Sequence, residues 1–547
     1  MPVYTLPTVA PRPPLEPRTA WLVASGDLRP LANAAGWPSQ ERLENGITTA
    51  FGKLGWLVRR AHEFDPAKGH GFIDSQRAGL RVFEGIPLEA PLVVAEGVWQ
   101  YSHHVLAGLR THRGPVLTVA NFDGKWPGLV GLLGLNASMT KMGREYSTTW
   151  STDFTDDWFL SGIEEWTRTG RIVHDQSHVS PFTPQDAGPQ AELAAAIAAK
   201  LHADKAIIGV FDEGCMGMYN AVIDDELLNR LGIYKERLSQ SALYAEMLTV
   251  ADAEADGVRS WLEDRGMRFL FGTDHGTELT EEQVRQQCKM YVAALRIGDD
   301  FGLDAVGIQY QQGLKDLVAA SDLAEGLLNN VDRPPVTSRD GSRVLWEGQP
   351  LPNFNEVDEG VAADAVVTNR VWTAMGLDPA TTLHDVRWGE EYDGQFVWVF
   401  EISGSVPPSH FERGYAEAVS MRQNPVYFPA GGGTIRGVSK PGEIVWSRLY
   451  IAKGGLHLDI GRGQALRLPA EETERRWNAT SPEWPMMHAL LYGITRDQFM
   501  ARHKANHVQV AYAPDPDAAD RAFQVKAAVF ANLGVTVHQC GLTHGAS

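Results

Sequence analysis

Cysteine is scarce in this sequence. Among 547 residues there are 3, Cys215, Cys288 and Cys540. Their number is odd, their spacings are long and no CxxC pair occurs, which excludes a disulfide scaffold and a zinc ribbon. A reducing compartment, the cytoplasm, is expected. Long apolar runs are missing as well: none approaches the roughly 20 residues of a membrane helix. Positive charge is in deficit, with 49 Lys and Arg against 68 Asp and Glu and a net charge of −19. Nucleic acid and anionic lipid both need a basic footprint, so neither is an expected partner. The opening MPVYTLPTVAPRPPLEP is Pro-rich, without a cationic start and apolar core, so no signal peptide is expected.

What the chain does have is apolar mass. Hydrophobic residues make up 44%, with 16 Trp, 20 Phe and 14 Tyr, enough for several packed cores. The length corresponds to about three domains. GITTAFGKLGWLVRRAHEF has a helical pattern, and APLVVAEGVWQY and GPVLTVANF read as buried strands. Next come the helix QAELAAAIAAKLHAD, the strand KAIIGVF, the long helix EEQVRQQCKMYVAALRIGDDFG and the strand LDAVGIQYQ. Alternation of this kind implies parallel sheets covered by helices. After about residue 375 short strands follow one another: GQFVWVFEISGS, EIVWSRLYIAKGG, LHLDIGRG and QALRLP, parted by glycine. The strand VQVAYA and a helix-then-strand unit close the chain. The predicted fold is therefore α/β, with two successive α/β (Rossmann-like) domains at 1–170 and 171–375. A β-rich, barrel-like C-terminal domain follows at 376–547.

Three local features carry little chemistry. PAGGGTIRG lacks the Lys-Ser/Thr of a phosphate loop and runs into a strand pattern, so it reads as a tight turn. His103 and His104 are adjacent and, on a strand, would face opposite ways. DEGCMGMYN follows a strand, where α/β proteins place ligands, and reads as a pocket wall or the turn before a helix.

The stronger pattern is distributed. FNEVDEG places Glu356 just ahead of a plausible helix, whose N-terminal partial charge favours an ionised carboxylate. Asp358 is the better helix cap and Glu359 a first-turn charge. LHDVR carries His384, Asp385 and Arg387, and KANH carries Asn506 and His507 before a strand. Two carboxylates and one imidazole with open positions suit Mn²⁺ or Mg²⁺ better than zinc.

The runs GIQYQQGLKDLVAASDLAEGLLNN, FNEVDEGVAADAV, LHDVRWG, ISGS, VYFPAGGGTIRGVSKPGEIVWSRLYIAKGGLHLDIGRG, NATSPEWP and KANH resemble those of L-fucose isomerases, in the same order. IIGVFDEGCMGMYN, VWQYS and SGDLRP extend the likeness toward the N-terminus. The resemblance implies a divalent ion, Mn²⁺ with Mg²⁺ or Co²⁺ as alternatives, held by Glu356, Asp385 and His507. Glu356 and Asp385 would also be the acid/base pair that moves a proton between C1 and C2 of a sugar. It implies sugar contacts from Gln309, Ser403, Tyr427, Trp484 and Asn506, with Trp99 supplied by a neighbouring subunit and Arg29 the weakest match. It also implies a homo-hexamer.

The sequence departs from the family where NHVQVAYAPD replaces an NHG run ending in Gly-His, which removes one supporting histidine. The expectation is thus a cytoplasmic, metal-dependent aldose–ketose isomerase on a free, L-fucose- or D-arabinose-like sugar, acting through an enediolate. Its site would lie between the second and third domains. The alternatives are a non-catalytic sugar-binding protein, or an L-arabinose-type isomerase or enediolate-forming lyase on the same scaffold.

Overall fold

A computed structural model describes residues 11–542. The expectation about a leader rests mostly on residues 1–10, which lie outside the described residues. Among the described residues no helix is long and apolar enough to cross a membrane. Cys288 and Cys540 are buried free thiols. The chain divides into two compact units, Met1–Phe122 with Arg144–Val173, and Asp123–Gly143 with His174–Ser547.

The first unit is built on a parallel sheet. Its strands are β1 (Thr19–Val23), β2 (Leu57–Arg60), β3 (Leu92–Glu96), β4 (Val116–Asn121) and β5 (Ser147–Ser151), in the order β2-β1-β3-β4-β5. β3 and β4 are buried throughout, as expected of strands covered on both faces. The predicted helix at GITTAFGKLGWLVRRAHEF is only half right. The helix Pro30–Lys53 ends inside it, and LVRR becomes the edge strand β2, paired in parallel with β1. His103 and His104 open a helix, His103–Thr111, not a strand. His104 is buried, with its Nδ1 3.1 Å from the Ile73 carbonyl.

The second unit begins with β6 (Val179–Pro181), β7 (Ala206–Phe211), β8 (Ile233–Leu238), the short β9 (Arg268–Phe269) and β10 (Ala305–Ile308). β10-β7-β8 form a parallel sheet. The helix Glu281–Phe301, opened by a Thr280/Gln283 capping box, anchors the core beside it. The remaining strands are β11 (Thr381–Tyr392), β12 (Gln395–Glu401), β13 (Val419–Ser420), β14 (Gly442–Ala452), β15 (Gly455–Leu466), β16 (Met486–Leu491), β17 (His507–Ala513) and β18 (Thr536–Cys540). Apart from β13, which pairs with β9, they join β6 in an eight-stranded sheet, β14-β17-β11-β12-β16-β15-β18-β6. β14 also pairs with β15, so the pairings from β14 through β17, β11, β12, β16 and β15 return to β14.

LHLDIGRG and QALRLP, expected as separate strands, are one continuous β15. Gly461 and Gly463 within it serve close approach, not turns: a Cβ would stand 2.5 Å from the Trp446 ring at the first and 2.5 Å from the Leu490 carbonyl at the second. The turn reading of PAGGGTIRG holds. Gly431 and Gly432 have φ of 76° and 109°, and a Cβ on Gly432 would meet the Ala320 amide at 2.7 Å.

Candidate metal and substrate site

Strand register brings two of the predicted ligands together. In the antiparallel pair β11–β17, Asp385 lies directly opposite His507, the first residue of β17. Side chains of directly opposed residues share a face. Glu356 arrives from another direction, in the turn that precedes the helix Glu359–Ala374. Glu356 and Val357 have φ of 57° and 54°, left-handed values that non-glycine residues rarely adopt and that are outlying for a β-branched valine. The turn stores strain, a feature that clusters at functional sites.

The three side chains converge on one nitrogen. His507 Nε2 is 3.5 Å from Glu356 Oε2 and 3.5 Å from Asp385 Oδ1. The ring is fully buried and Nε2 has no hydrogen-bond partner. Its other nitrogen is held: Nδ1 lies 2.8 Å from Asp358 Oδ2. Asp358 also binds Arg448 Nη1 at 2.6 Å. Burial opposes ionisation of Asp358, but Arg448 and His507 overrule it and hold the carboxyl far below the usual range. Burial opposes charge on His507, but Asp358, Glu356 and Asp385 raise it to about 10, so without an ion both nitrogens carry protons. A cation among the three side chains would displace the Nε2 proton and leave Nδ1–H on Asp358. Burial raises the Asp385 carboxyl, and the charge of Glu356 adds to that, while His507 pulls the other way.

The donor types are those of a divalent-cation site. Among the described residues no group of three His, Cys, Asp or Glu side chains stands in a geometry that could hold a metal ion. Yet two ligands each about 2.1 Å from one ion stand roughly 3–3.5 Å apart, close to the spacings here. An orphaned imidazole nitrogen facing two carboxylates, with its other nitrogen on a carboxylate, is the usual arrangement of a metal-ligating histidine. Two oxygen ligands and one nitrogen suit Mn²⁺ or Mg²⁺.

The expected roles of the other acids in FNEVDEG divide. Asp358 caps the helix, its Oδ1 accepting from Gly360 N at 3.1 Å and Val361 N at 3.2 Å. Glu359 lies in the first turn as expected, but its task there is not only to complement the helix. It is fully buried, takes the Ile223 amide at 2.6 Å and pairs with Lys235 at 2.9 Å. The long-range partner Lys235 is what the local run could not reveal.

Several predicted sugar contacts surround the three ligands. Ser403 Oγ donates to Glu356 Oε1 at 3.4 Å, and Asn506 Nδ2 donates to Asp385 Oδ1 at 3.4 Å. Gln309 follows β10, is fully buried, and has an unpartnered Nε2. Trp484 is anchored by its indole N–H, which donates to Gln423 Oε1 at 2.8 Å. Arg387 lies over its face at 5.6 Å, and Tyr427 packs beside it at 6.5 Å. Arg29 and Trp99 belong to the first unit, where they follow β1 and β3 at the carboxyl edge of the sheet. Both are buried there, Arg29 paired with Asp27 at 2.6 Å.

Sequence reasoning missed Arg448, Asp322, Glu325 and Asn355. Asn355 donates to Glu325, which secures the strained turn beside Glu356. The cleft that contains Glu356 and Ser403 is also lined by Met216, Tyr310, Asp322 and Glu325. Met216 makes DEGCMGMYN the pocket wall it was read as. The SDLAEG run contained the signal for Asp322 and Glu325: two acids one helical turn apart, on a segment otherwise apolar.

Residues 403–523 match the family model described as L-fucose isomerase, C-terminal domain. The matched span contains Ser403, Tyr427, Trp484, Asn506 and His507, while Glu356 and Asp385 precede it. No curated protein matches the chain. Residues 403–523 are thus similar to the C-terminal domain of L-fucose isomerases, which supports an L-fucose isomerase-like family.

Proposed function

We propose that the protein is a metal-dependent aldose–ketose isomerase acting on a free sugar of the L-fucose or D-arabinose kind. The observation that carries this reading is the convergence of Glu356 and Asp385 on the unpartnered Nε2 of His507. The family match of 403–523 supports the isomerase class. The strained Glu356–Val357 turn favours a catalytic site over a passive sugar receptor.

Glu356, Asp385 and His507 would hold the divalent ion, which when bound supplies positive charge that stabilises the enediolate. One of the two carboxylates takes the proton from C2 of the aldose, exchanges it with solvent and delivers a proton to C1. The other moves the hydroxyl proton, so the carbonyl passes from C1 to C2 with no net proton gained. Ser403 and Asn506 each touch one carboxylate and orient it. Asp358 keeps the His507 ring in its ligating tautomer. Gln309 and Trp484 offer an amide and an aromatic face to a neutral polyol. A homo-oligomer in which Trp99 and Arg29 serve a neighbouring subunit, working in the cytoplasm, completes the proposal.

The test is a panel of free aldoses incubated with the purified protein, with Mn²⁺ and with EDTA, and assayed for ketose. Turnover that needs Mn²⁺ is expected. No ketose from any sugar under Mn²⁺ defeats the isomerase reading, and turnover that survives EDTA defeats the metal role.

A further inference from the structure

One carboxyl in the cleft has no task in the chemistry above. Asp322 is 3% exposed and lines the same cleft as Glu356 and Ser403. Its Oδ2 has no hydrogen-bond partner. Glu325 takes the Asn355 amide, and Tyr310 Oη donates to the Val318 carbonyl at 2.7 Å. Gln423 spans the Ser403 carbonyl at 2.9 Å and the Trp484 indole at 2.8 Å and also bonds the Asp322 carboxyl, yet Oδ2 stays without a partner. Leaving a buried carboxyl oxygen unpaired costs free energy that a core position would have been relieved of by an apolar residue. In a cleft, that cost is removed by a ligand.

We infer that Asp322 is a specificity-determining residue whose Oδ2 binds one hydroxyl of the sugar, away from the carbonyl that moves. The inference rests on the isomerase reading. A neutral polyol is the ligand class that fits. A carboxyl oxygen with no partner accepts a hydrogen bond from a hydroxyl, which a polyol supplies without adding charge.

The experiment compares wild type, Asp322→Asn and Asp322→Ala on a parent aldose and on its monodeoxy analogues, with Mn²⁺ affinity and thermal melting measured alongside. Asp322→Asn keeps the side-chain volume, so a folding defect in the alanine variant does not decide the outcome. The expected result is a loss of about 10- to 100-fold in kcat/KM on the parent sugar, mainly through KM, with Mn²⁺ affinity unchanged. One monodeoxy sugar, the one lacking the hydroxyl concerned, should be handled almost equally by wild type and variant. Equal losses on every sugar, no loss on any, or a loss of Mn²⁺ affinity would each overturn the inference. If wild type turns over no aldose, the isomerase reading fails separately. Calorimetric binding of the same sugars then decides: equal affinity for wild type and Asp322→Ala overturns the hydroxyl role, and weaker binding confined to the parent sugar upholds it.

Discussion

His507 Nδ1 and Asp358 Oδ2 meet at 2.8 Å, and the same Asp358 caps the helix Glu359–Ala374 through its other oxygen. One carboxylate therefore starts a helix, neutralises the buried Arg448 and fixes which nitrogen of His507 is free. Asp358→Asn keeps an acceptor for the cap but loses the charge. Metal affinity should fall about 10- to 100-fold, as it does when a histidine ligand loses its carboxylate partner. Titration calorimetry with Mn²⁺ checks this, and unchanged affinity contradicts it.

Glu356 and Glu359 should separate cleanly. Glu356→Gln should abolish turnover and leave the melting temperature nearly unchanged, because Glu356 pairs with no Lys or Arg. Glu359→Gln removes a buried carboxylate partner of Lys235, which keeps Glu213 at 3.1 Å, Asp225 at 3.0 Å and the Ile223 carbonyl at 2.8 Å. It should cost about 1–3 kcal/mol of stability while activity per folded molecule is retained. Thermal melts and initial rates on both variants provide the readout. Equal loss of turnover undoes the assignment.

Behind the site, Lys526 is fully buried and pairs with Asp364 at 2.5 Å, with Ser447 bridging at 2.6 Å to each. Lys526→Met alone strands a buried carboxylate and should cost about 3–5 kcal/mol in urea unfolding. Adding Asp364→Asn should recover much of that loss. Additive losses would show that the pair is not coupled.

Acid should weaken both units through buried imidazoles. Burial, with Arg476 nearby, lowers His488 from 6.5 to about 3, and burial lowers His112 to about 4. Between those values and about 6.5 the unfolded chain binds protons that the folded chain does not. Stability is therefore full above pH 6.5 and is lost as pH falls toward 4. At pH 4.5 each imidazole should account for roughly 1–3 kcal/mol. His488→Gln should flatten the slope of melting temperature against pH. A slope unchanged by that substitution contradicts the assignment to His488.

Much of this architecture was legible because its periodicity is local. The buried strands Leu92–Glu96 and Val116–Asn121 and the helix Glu281–Phe301 declare themselves in their own residues. Asp358 was readable as a cap from its place before an apolar run. Where pairing over distance decides, the sequence was silent. LVRR became a strand because β1 lies beside it, and β15 ran straight through glycines that a local reading took for turns. The burial of Glu359 depends on Lys235, 124 residues away, and the orientation of His507 on Asp358, 149 residues away. The triad Glu356, Asp385 and His507 was itself nameable only through resemblance, since nothing local links its members.

The proton route through Glu356 and Asp385 is tested most directly in heavy water. Aldose is incubated with the Mn²⁺-loaded protein in D₂O and the ketose is examined by NMR. Proton transfer through a carboxylate predicts deuterium at C1 of the ketose, none being formed by Glu356→Gln. Ketose that carries no deuterium, or that Glu356→Gln forms at the wild-type rate, would contradict the account.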